Sequence, residues 1–497
     1  MEPAKVAVAV PLSSSPLAVT APWQPPAGAL WGGVWRDGET SFTVHDPEDG
    51  SRLGSVTDAS AAEVGAAVEA VAAAVHSGQP WPAWRRREAL QRAAALLGQR
   101  RVTLAELISR EGSKTVREAD AEVSRAAETL RLSAEQAGRL TGETLPFDDT
   151  ARGAGRLGWY TREPVGVVAA ITPFNDPLNL VAHKLGPALV AGNGVVLKPA
   201  EATPLTALAF AAVLLDAGIP ADRLAVVPGT GARAGQALVG HPLVDLVSFT
   251  GGHRTGDAVA RAAGAKKTLM ELGGNNCVLV LHDADPVRAA RAVVAGAFGV
   301  AGQNCLSVQR VLVAAPLVDR FTDEVVAATG LLRVGSKRDP RTDVGPLITE
   351  REAARVALWV EEALTDGAVL RAGGRREGAF HWPTVLTGVP AAARLMVEEV
   401  FGPVLAIDAF DTVDEAVARA NGTAFGLQAG VFTAGLDTAL AVAERLRVGA
   451  VMINDSSDFR IDAMPFGGPK RSGVGREGVR YAVEAMTEPK IVAVRRD

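Results

Sequence analysis

A set of apolar runs in the middle of the chain constrains its fold more than any other feature. The first, Val165-Gly166-Val167-Val168-Ala169-Ala170-Ile171, follows Pro164 and is closed by Pro173, with no polar alternation inside it. A strand buried on both faces reads this way, and such strands belong to parallel sheets. Residues 195–197, 224–227 and 244–250 repeat the pattern, with helix-like stretches at 206–216 and 231–238 between them. Strand, helix, strand at this spacing predicts right-handed βαβ units and a doubly wound α/β sheet.

The alternation restarts after Gly273-Gly274. Residues 277–281 and 308–313 read as strands, 318–329 and 352–364 as helices, and a domain boundary is expected near residue 270. Upstream, residues 60–97 carry Val64, Val68, Val71 and Val75 at helical spacing, and residues 104–136 form a second helical region interrupted near Gly112. Residues 159–162 and 490–494 read as short strands without an obvious partner. Residues 1–30, rich in Pro, Ala and Ser, read as a loosely attached arm.

A length of 497 residues suggests roughly two to four structural units. The net charge of −5 gives no electrostatic reason to expect nucleic acid or an anionic membrane as partner. The clusters Arg85-Arg86-Arg87 and Arg100-Arg101 lie in helical stretches and read as solvated faces. With only Cys277 and Cys305, a disulfide framework is excluded, no metal site is expected, and a reducing, cytoplasmic setting is expected. The run at residues 6–10 is broken by Pro11 and is too short for an export signal or a membrane span.

The two cysteines sit in different contexts. Cys277 begins an apolar strand and reads as a packed core thiol. Cys305 lies in Gly302-Gln303-Asn304-Cys305-Leu306-Ser307, among small and polar residues, as expected of a loop or helix start facing a cavity. A catalytic thiol there needs access and a lowered pKa.

Several separated stretches together resemble the aldehyde dehydrogenase superfamily. They are Ile171-Thr172-Pro173-Phe174-Asn175, Leu197-Lys198-Pro199-Ala200-Glu201, Ser248-Phe249-Thr250-Gly251-Gly252, Met270-Glu271-Leu272-Gly273-Gly274-Asn275, Gly302-Gln303-Asn304-Cys305, Glu398-Glu399-Val400-Phe401-Gly402-Pro403-Val404, Asn421 and Pro465-Phe466-Gly467-Gly468. Their order and spacing span the chain from about residue 30 to 495. The resemblance implies a Rossmann-like NAD-binding domain (31–140 and 163–270), an α/β catalytic domain (271–480) and a β-strand oligomerisation arm (141–162 and 481–497) that joins subunits into a homodimer or homotetramer.

It also implies a site. Cys305 matches the nucleophile that forms a thiohemiacetal, Asn175 the amide donor to its oxyanion, and Glu271 the base that activates water on the thioester. A carboxylate just before Gly273-Gly274 can approach closely because glycines leave room. Glu271 argues against the CoA-dependent acylating relatives; the alternatives to weigh are an acylating or semialdehyde-specific dehydrogenase on the same fold and, in a different class, a non-catalytic scaffold.

Lys198 and Glu201 would hold the adenosine ribose of NAD, with Ile171, Thr172, Pro173, Phe174, Pro199, Ala200 and Gly231 around them. The Glu201 carboxylate would repel a 2′-phosphate, which favours NAD while leaving NADP possible. Phe249, Thr250, Gly251, Gly252, Gly256, Leu272 and Gly273 would line the pyrophosphate side at a helix start. Many relatives have Ser where Gly252 stands, so a side-chain phosphate contact is expected to be missing. Glu399 and Phe401 match the residues at the nicotinamide ribose and ring.

The substrate segment is the least constrained. Residues 454–465 resemble those of relatives acting on small polar or anionic aldehydes, such as lactaldehyde. Arg460 would pair with a substrate anion, or else with Asp458 or Asp462. Phe174, Leu178, Phe298, Asn304, Leu306, Phe459 and Phe466 would complete the pocket and would equally suit an apolar aldehyde.

Overall fold

The protein is described from a computed structural model, in which residues 26–77 and 81–496 are described. Residues 1–25 of the expected arm lie outside them. Its last residues do not hang loose: Ala29–Trp31 is a strand whose Ala29 and Leu30 are buried.

The apolar runs form the centre of the first sheet. Its order is Val34–Arg36, Ala29–Trp31, Leu224–Val226, Gly194–Lys198, Val167–Ile171, Leu246–Thr250, Lys267–Glu271 and Gly473–Val474. The five strands from Leu224–Val226 to Lys267–Glu271 are parallel, and a short antiparallel strand pairs with each side of that block. The strand Val167–Ile171 is reached first and the chain then winds both ways from it, so a crevice opens at the carboxyl ends beside it. Every residue of that strand is buried, which is why the run shows no alternation.

Helix Ala61–His76 covers one face of the sheet. Helices Ala83–Gln99, Val116–Gln136, Asn179–Ala191 and Pro204–Asp216 cover the other. The helical stretch expected over 60–97 is thus two helices, and the second takes Pro82 as its N-cap. Proline tolerates a helix start but not an interior, where its missing N–H and its ring break the ladder. Helix Ala61–His76 starts at a Ser60–Glu63 capping box and helix Val116–Gln136 at a Thr115–Glu118 box.

The second sheet runs Val369–Ala372, Thr384–Thr387, Val404–Phe410, Val308–Ala314, Asn276–Val280, Gln428–Phe432 and Ala450–Ile453, parallel except at its first pair. The chain leaves this unit before residue 480. Gly473–Val474 pairs with Lys267–Glu271 of the first sheet, and helix Val479–Ala485 is buried against the helices there.

Strands Arg156–Pro164 and Thr487–Arg495 pair antiparallel over nine residue pairs, with Glu143–Leu145 on the far side. The two strands that lacked a partner by sequence are each other's partner. Among the described residues, no helix is long and apolar enough to cross a membrane.

Candidate active site

A cavity of about 320 Å³ opens between the two sheets. Asn175 reaches it from the loop after Val167–Ile171, Thr250 from the end of Leu246–Thr250, and Cys305 and Leu306 from the loop before Val308–Ala314. Helix Val116–Gln136 supplies Arg125, and the segment after Ala450–Ile453 supplies Asp458, Arg460 and Phe466.

The Cys305 loop is held in an unusual backbone shape. Val300, Ala301 and Gly302 have φ of 52°, 53° and 70°. For β-branched Val300 this costs on the order of 1–3 kcal/mol and persists only under external restraint. Glu118 supplies one restraint, its Oε1 accepting from Val300 N–H at 2.7 Å. Gln303 supplies another: its Nε2 donates to Val300 O at 3.1 Å and its Oε1 accepts from Ile348 N–H at 2.9 Å. Gly302 lies against the Gly402 carbonyl where a Cβ would collide. The Cys305 carbonyl accepts from Asn276 Nδ2 at 2.7 Å, which fixes the residue from its other side.

The expected lowered thiol pKa is not what the structure gives. Burial pushes the Cys305 thiol up, Arg460 opposes that, and Glu399 and Glu271 add to it. A thiol in this setting needs a proton acceptor. Glu271 ends strand Lys267–Glu271, is 2% exposed, and has no hydrogen-bond partner for either carboxylate oxygen among the described residues. Burial first, then the Glu477 charge, raise it well above the usual carboxylate range.

The room beside Glu271 comes from Gly467, where an added Cβ would lie 2.5 Å from Glu271 Oε1. The glycine pair after Glu271 serves a different carboxylate. The Glu399 side chain occupies the place of a Gly273 Cβ and accepts from Gly274 N–H at 3.0 Å. Burial pushes Glu399 up to about 7. Phe401, itself at a φ of 47°, meets Phe174 edge to face at 5.7 Å and 85°.

The expected cofactor residues gather at the carboxyl end of the first sheet. Lys198 is buried, and its Nζ donates to the Pro199 carbonyl at 2.8 Å. Burial lowers it to about 8, against the charge of Glu201. Glu201 is exposed and accepts from Gly231 N–H at 2.5 Å. Thr172 N–H donates to the Lys198 carbonyl at 3.3 Å and Ala200 closes a turn onto Thr203, so Ile171 to Phe174 and Lys198 to Glu201 form adjacent strand ends. Gly252 is the N-cap of helix His253–Ala263 and no side chain caps that helix, so its first N–H groups remain available. Gly256 meets Leu272, 2.5 Å from where its Cβ would be, and Gly251 meets the Phe249 ring at 2.6 Å. Both are packing glycines beside the helix start.

The expected substrate residues divide. Asn304, Leu306, Arg460 and Phe466 line the cavity with Cys305. Leu178 and Phe298 do not: Leu178 is buried in the helical core on the first sheet, Phe298 in the core of the second unit. Leu180 faces the cavity instead of Leu178, because helix Asn179–Ala191 turns position 178 toward its neighbours. Phe459 is 49% exposed and stands outside the cavity lining. Arg460 pairs with neither Asp458 nor Asp462. Its guanidinium lies 3.7 Å from the Phe466 ring centroid, and Glu477 Oε2 is 3.9 Å away.

Several charged residues of the site were not expected. Lys184 is fully buried and donates to Glu477 Oε1 at 2.9 Å and Ser248 Oγ at 3.1 Å. Lys114 pairs with Glu122 at 2.7 Å and with Asp176. Arg125 pairs with Asp462 at 3.1 Å. The sequence carried one signal for this network: His183-Lys184 interrupts a helix buried at every position. Cys277 is buried in an apolar cluster. Among the described residues, no group of three His, Cys, Asp or Glu is placed to hold a metal ion.

Comparison with known proteins bears on this arrangement. Residues 35–492 match the sequence model described as the aldehyde dehydrogenase family. The chain is 46% identical over 456 residues to aspartate-semialdehyde dehydrogenase 1 of Pseudomonas canavaninivorans, covering 92% of this chain and 97% of that protein. It is 43% identical over 468 residues to 3-sulfolactaldehyde dehydrogenase of Priestia aryabhattai, covering 93% and 98%. The crystal structure of NADP-dependent glyceraldehyde-3-phosphate dehydrogenase from Bacillus halodurans C-125 complexed with NADP superposes with a TM-score of 0.93 at 37% identity, covering 95% of this chain and all of that one.

Proposed function

The chain belongs to the aldehyde dehydrogenase family, and from that premise we propose that it oxidises a small aldehyde with an anionic head to the free acid, through a thioester on Cys305. The observation that carries this reading is one cavity: Cys305, Asn175 and Arg460 face it together, and Glu271 lies buried nearby with both carboxylate oxygens unpartnered.

The residues fit a nicotinamide dinucleotide. Lys198 has a buried ammonium that donates to a backbone carbonyl, Glu201 is an exposed carboxylate beside it, and an uncapped helix start at Gly252 offers N–H groups to a pyrophosphate. Glu399 and Phe401 would border the nicotinamide end. The chemistry supplied by the cofactor when bound is acceptance of a hydride. Charge at Glu201 favours NAD over NADP.

The chain's own residues do the rest. The Cys305 sulfur bonds to the aldehyde carbon as its proton passes to water and out to solvent, which leaves Glu271 unprotonated for the later hydrolysis. The carbonyl oxygen takes the negative charge, and the Asn175 amide with the Cys305 N–H donates to it. After oxidation the carbon is held as a thioester. Glu271, deprotonated, takes a proton from water as the oxygen attacks; the C–S bond breaks and the acid leaves. Lys184 on Glu477 partly offsets the repulsion between Glu477 and Glu271.

The cavity wall carries both signs. Arg125 and Arg460 suit a carboxylate, phosphate or sulfonate head, while Asp458 and Asp176 offer acceptors to a hydroxyl or ammonium on the substrate. This combination fits the substituted small aldehydes named in the relatives. A semialdehyde is the second reading, favoured by the same two arginines. An acylating reaction is disfavoured by Glu271.

The paired strands Arg156–Pro164 and Thr487–Arg495 expose Leu157, Ile491 and Val494, and Thr487–Arg495 has a free edge. We read this arm as the surface through which a second copy docks, giving a homodimer or homotetramer. The free cysteines suit the reducing cytoplasm.

The test is NADH formation over a panel of small aldehydes, with and without CoA, in wild type, Cys305→Ala and Arg460→Ala. Activity should require Cys305 and yield free acid. Loss of Arg460 should raise KM for anionic aldehydes and leave neutral ones little changed. Full activity in Cys305→Ala, or an acyl-CoA product, would overturn the reading.

A further inference from the structure

Of the two arginines facing the cavity, Arg125 has a buried anchor. Asp462 lies in residues 454–469, a segment that carries no helix or strand. Its Oδ1 accepts from His183 Nε2 at 2.8 Å, Arg125 Nη2 at 3.1 Å and Asn179 Nδ2 at 3.3 Å. Thr129 Oγ1 donates to Asn179 Oδ1 at 2.9 Å, which fixes the amide that points at Asp462. His183 is 1% exposed and Asp462 7%, so water does not supply these bonds. Arg460 Nη2 stands 3.5 Å from His183 Nε2.

We propose that Asp462 and His183 are positioning residues that hold Arg125 in the cavity wall, next to Arg460, and so set the preference for an anionic substrate head. The inference rests on the proposed anionic substrate. Without Asp462, the carboxylate left within reach of Arg125 among the described residues is Asp176, 3.9 Å away and already shared with Lys114. Arg125 would close that distance and turn its charge away from the ligand. Arg460 is held differently. It lies on the Phe466 ring, beside a histidine that burial and Arg460 itself keep neutral. Its nearest carboxylate oxygen is 3.9 Å away, which leaves the guanidinium free for a ligand. His183 donates its Nε2 proton to Asp462, which leaves Nδ1 without a partner. The imidazole is therefore placed by one hydrogen bond, and a side chain able to donate at that point can replace it.

The experiment compares KM and kcat for succinate semialdehyde and for neutral pentanal in wild type, Asp462→Asn, His183→Leu, His183→Gln and Arg125→Ala. Asp462→Asn and His183→Leu should raise KM for succinate semialdehyde about tenfold, with kcat and both pentanal parameters changing much less. Gln at position 183 can donate to Asp462 and should restore most of the loss; this arm also decides the matter if Asp462→Asn does not fold. An equal rise for both aldehydes, no rise, or no difference between Gln and Leu at 183 overturns the positioning role. If that happens while Arg125→Ala still discriminates the two aldehydes, the substrate reading survives alone. If wild type does not prefer the anionic aldehyde, both fall.

Discussion

Replacing Glu271 with Gln isolates the hydrolytic half of the reaction. The structure makes it a clean perturbation. Neither carboxylate oxygen has a hydrogen-bond partner among the described residues, so replacing one by an amide breaks no hydrogen bond there. Gly467 confines the side chain, and Gln has nearly the same volume. Burial and Glu477 raise the folded-state pKa. A carboxyl raised in this way contributes stability that is fully present below its unfolded value and lost as pH rises through the folded one. The neutral amide removes that loss, so Glu271→Gln should melt at or above wild type, with the gap widening toward alkaline pH. Any fall in turnover is then chemical. General-base catalysis contributes about 10²–10⁴-fold, roughly 3–5 kcal/mol of barrier. Rapid mixing should show a burst of NADH near one equivalent per Cys305, then a steady state slower by that factor, with the acyl adduct visible by intact mass. A steady-state rate within about threefold of wild type would refute the base assignment. Loss of the burst itself would move Glu271 to the thiol step.

Three further outcomes follow from the same geometry. Because Cys305 and Glu271 are both pushed up and Glu399 lies near 7, kcat/KM should climb with pH, with its acidic limb above the ordinary carboxylate value of 4.5; a pH–rate profile checks this, and the part of the limb due to Glu271 should vanish in Glu271→Gln. Asn175→Ala removes one oxyanion donor and should lower kcat by about 100-fold, roughly 3 kcal/mol, with little change in KM. Glu201→Gln removes the carboxylate beside Lys198 and should narrow the preference for NAD over NADP by about tenfold, read as the ratio of kcat/KM values with the two cofactors.

Much of the site was legible because its motifs sit at strand ends, where local sequence and local structure coincide. Asn175 and Lys198 follow or end a run whose burial the apolar pattern announces; Glu271 ends a strand as well, and Cys305 lies in the loop before one. The residues that the fold places elsewhere share a cause. Leu178 and Phe298 lie next to site residues in sequence, but the helix and loop geometry turns them into the cores. The glycines after Glu271 make room for Glu399, which arrives from another part of the chain, and Gly467 makes the room for Glu271.

By itself, the sequence determined the α/β alternation, its restart in a second sheet, and the family. Period and composition record how each segment is buried, and burial is set residue by residue. Only the tertiary structure decided which distant groups meet: Arg162 with Thr487, 325 positions apart, and His183 with Asp462, 279 apart. Such pairs leave no local pattern, because sheet order and helix packing, rather than spacing along the chain, bring a charge to its partner.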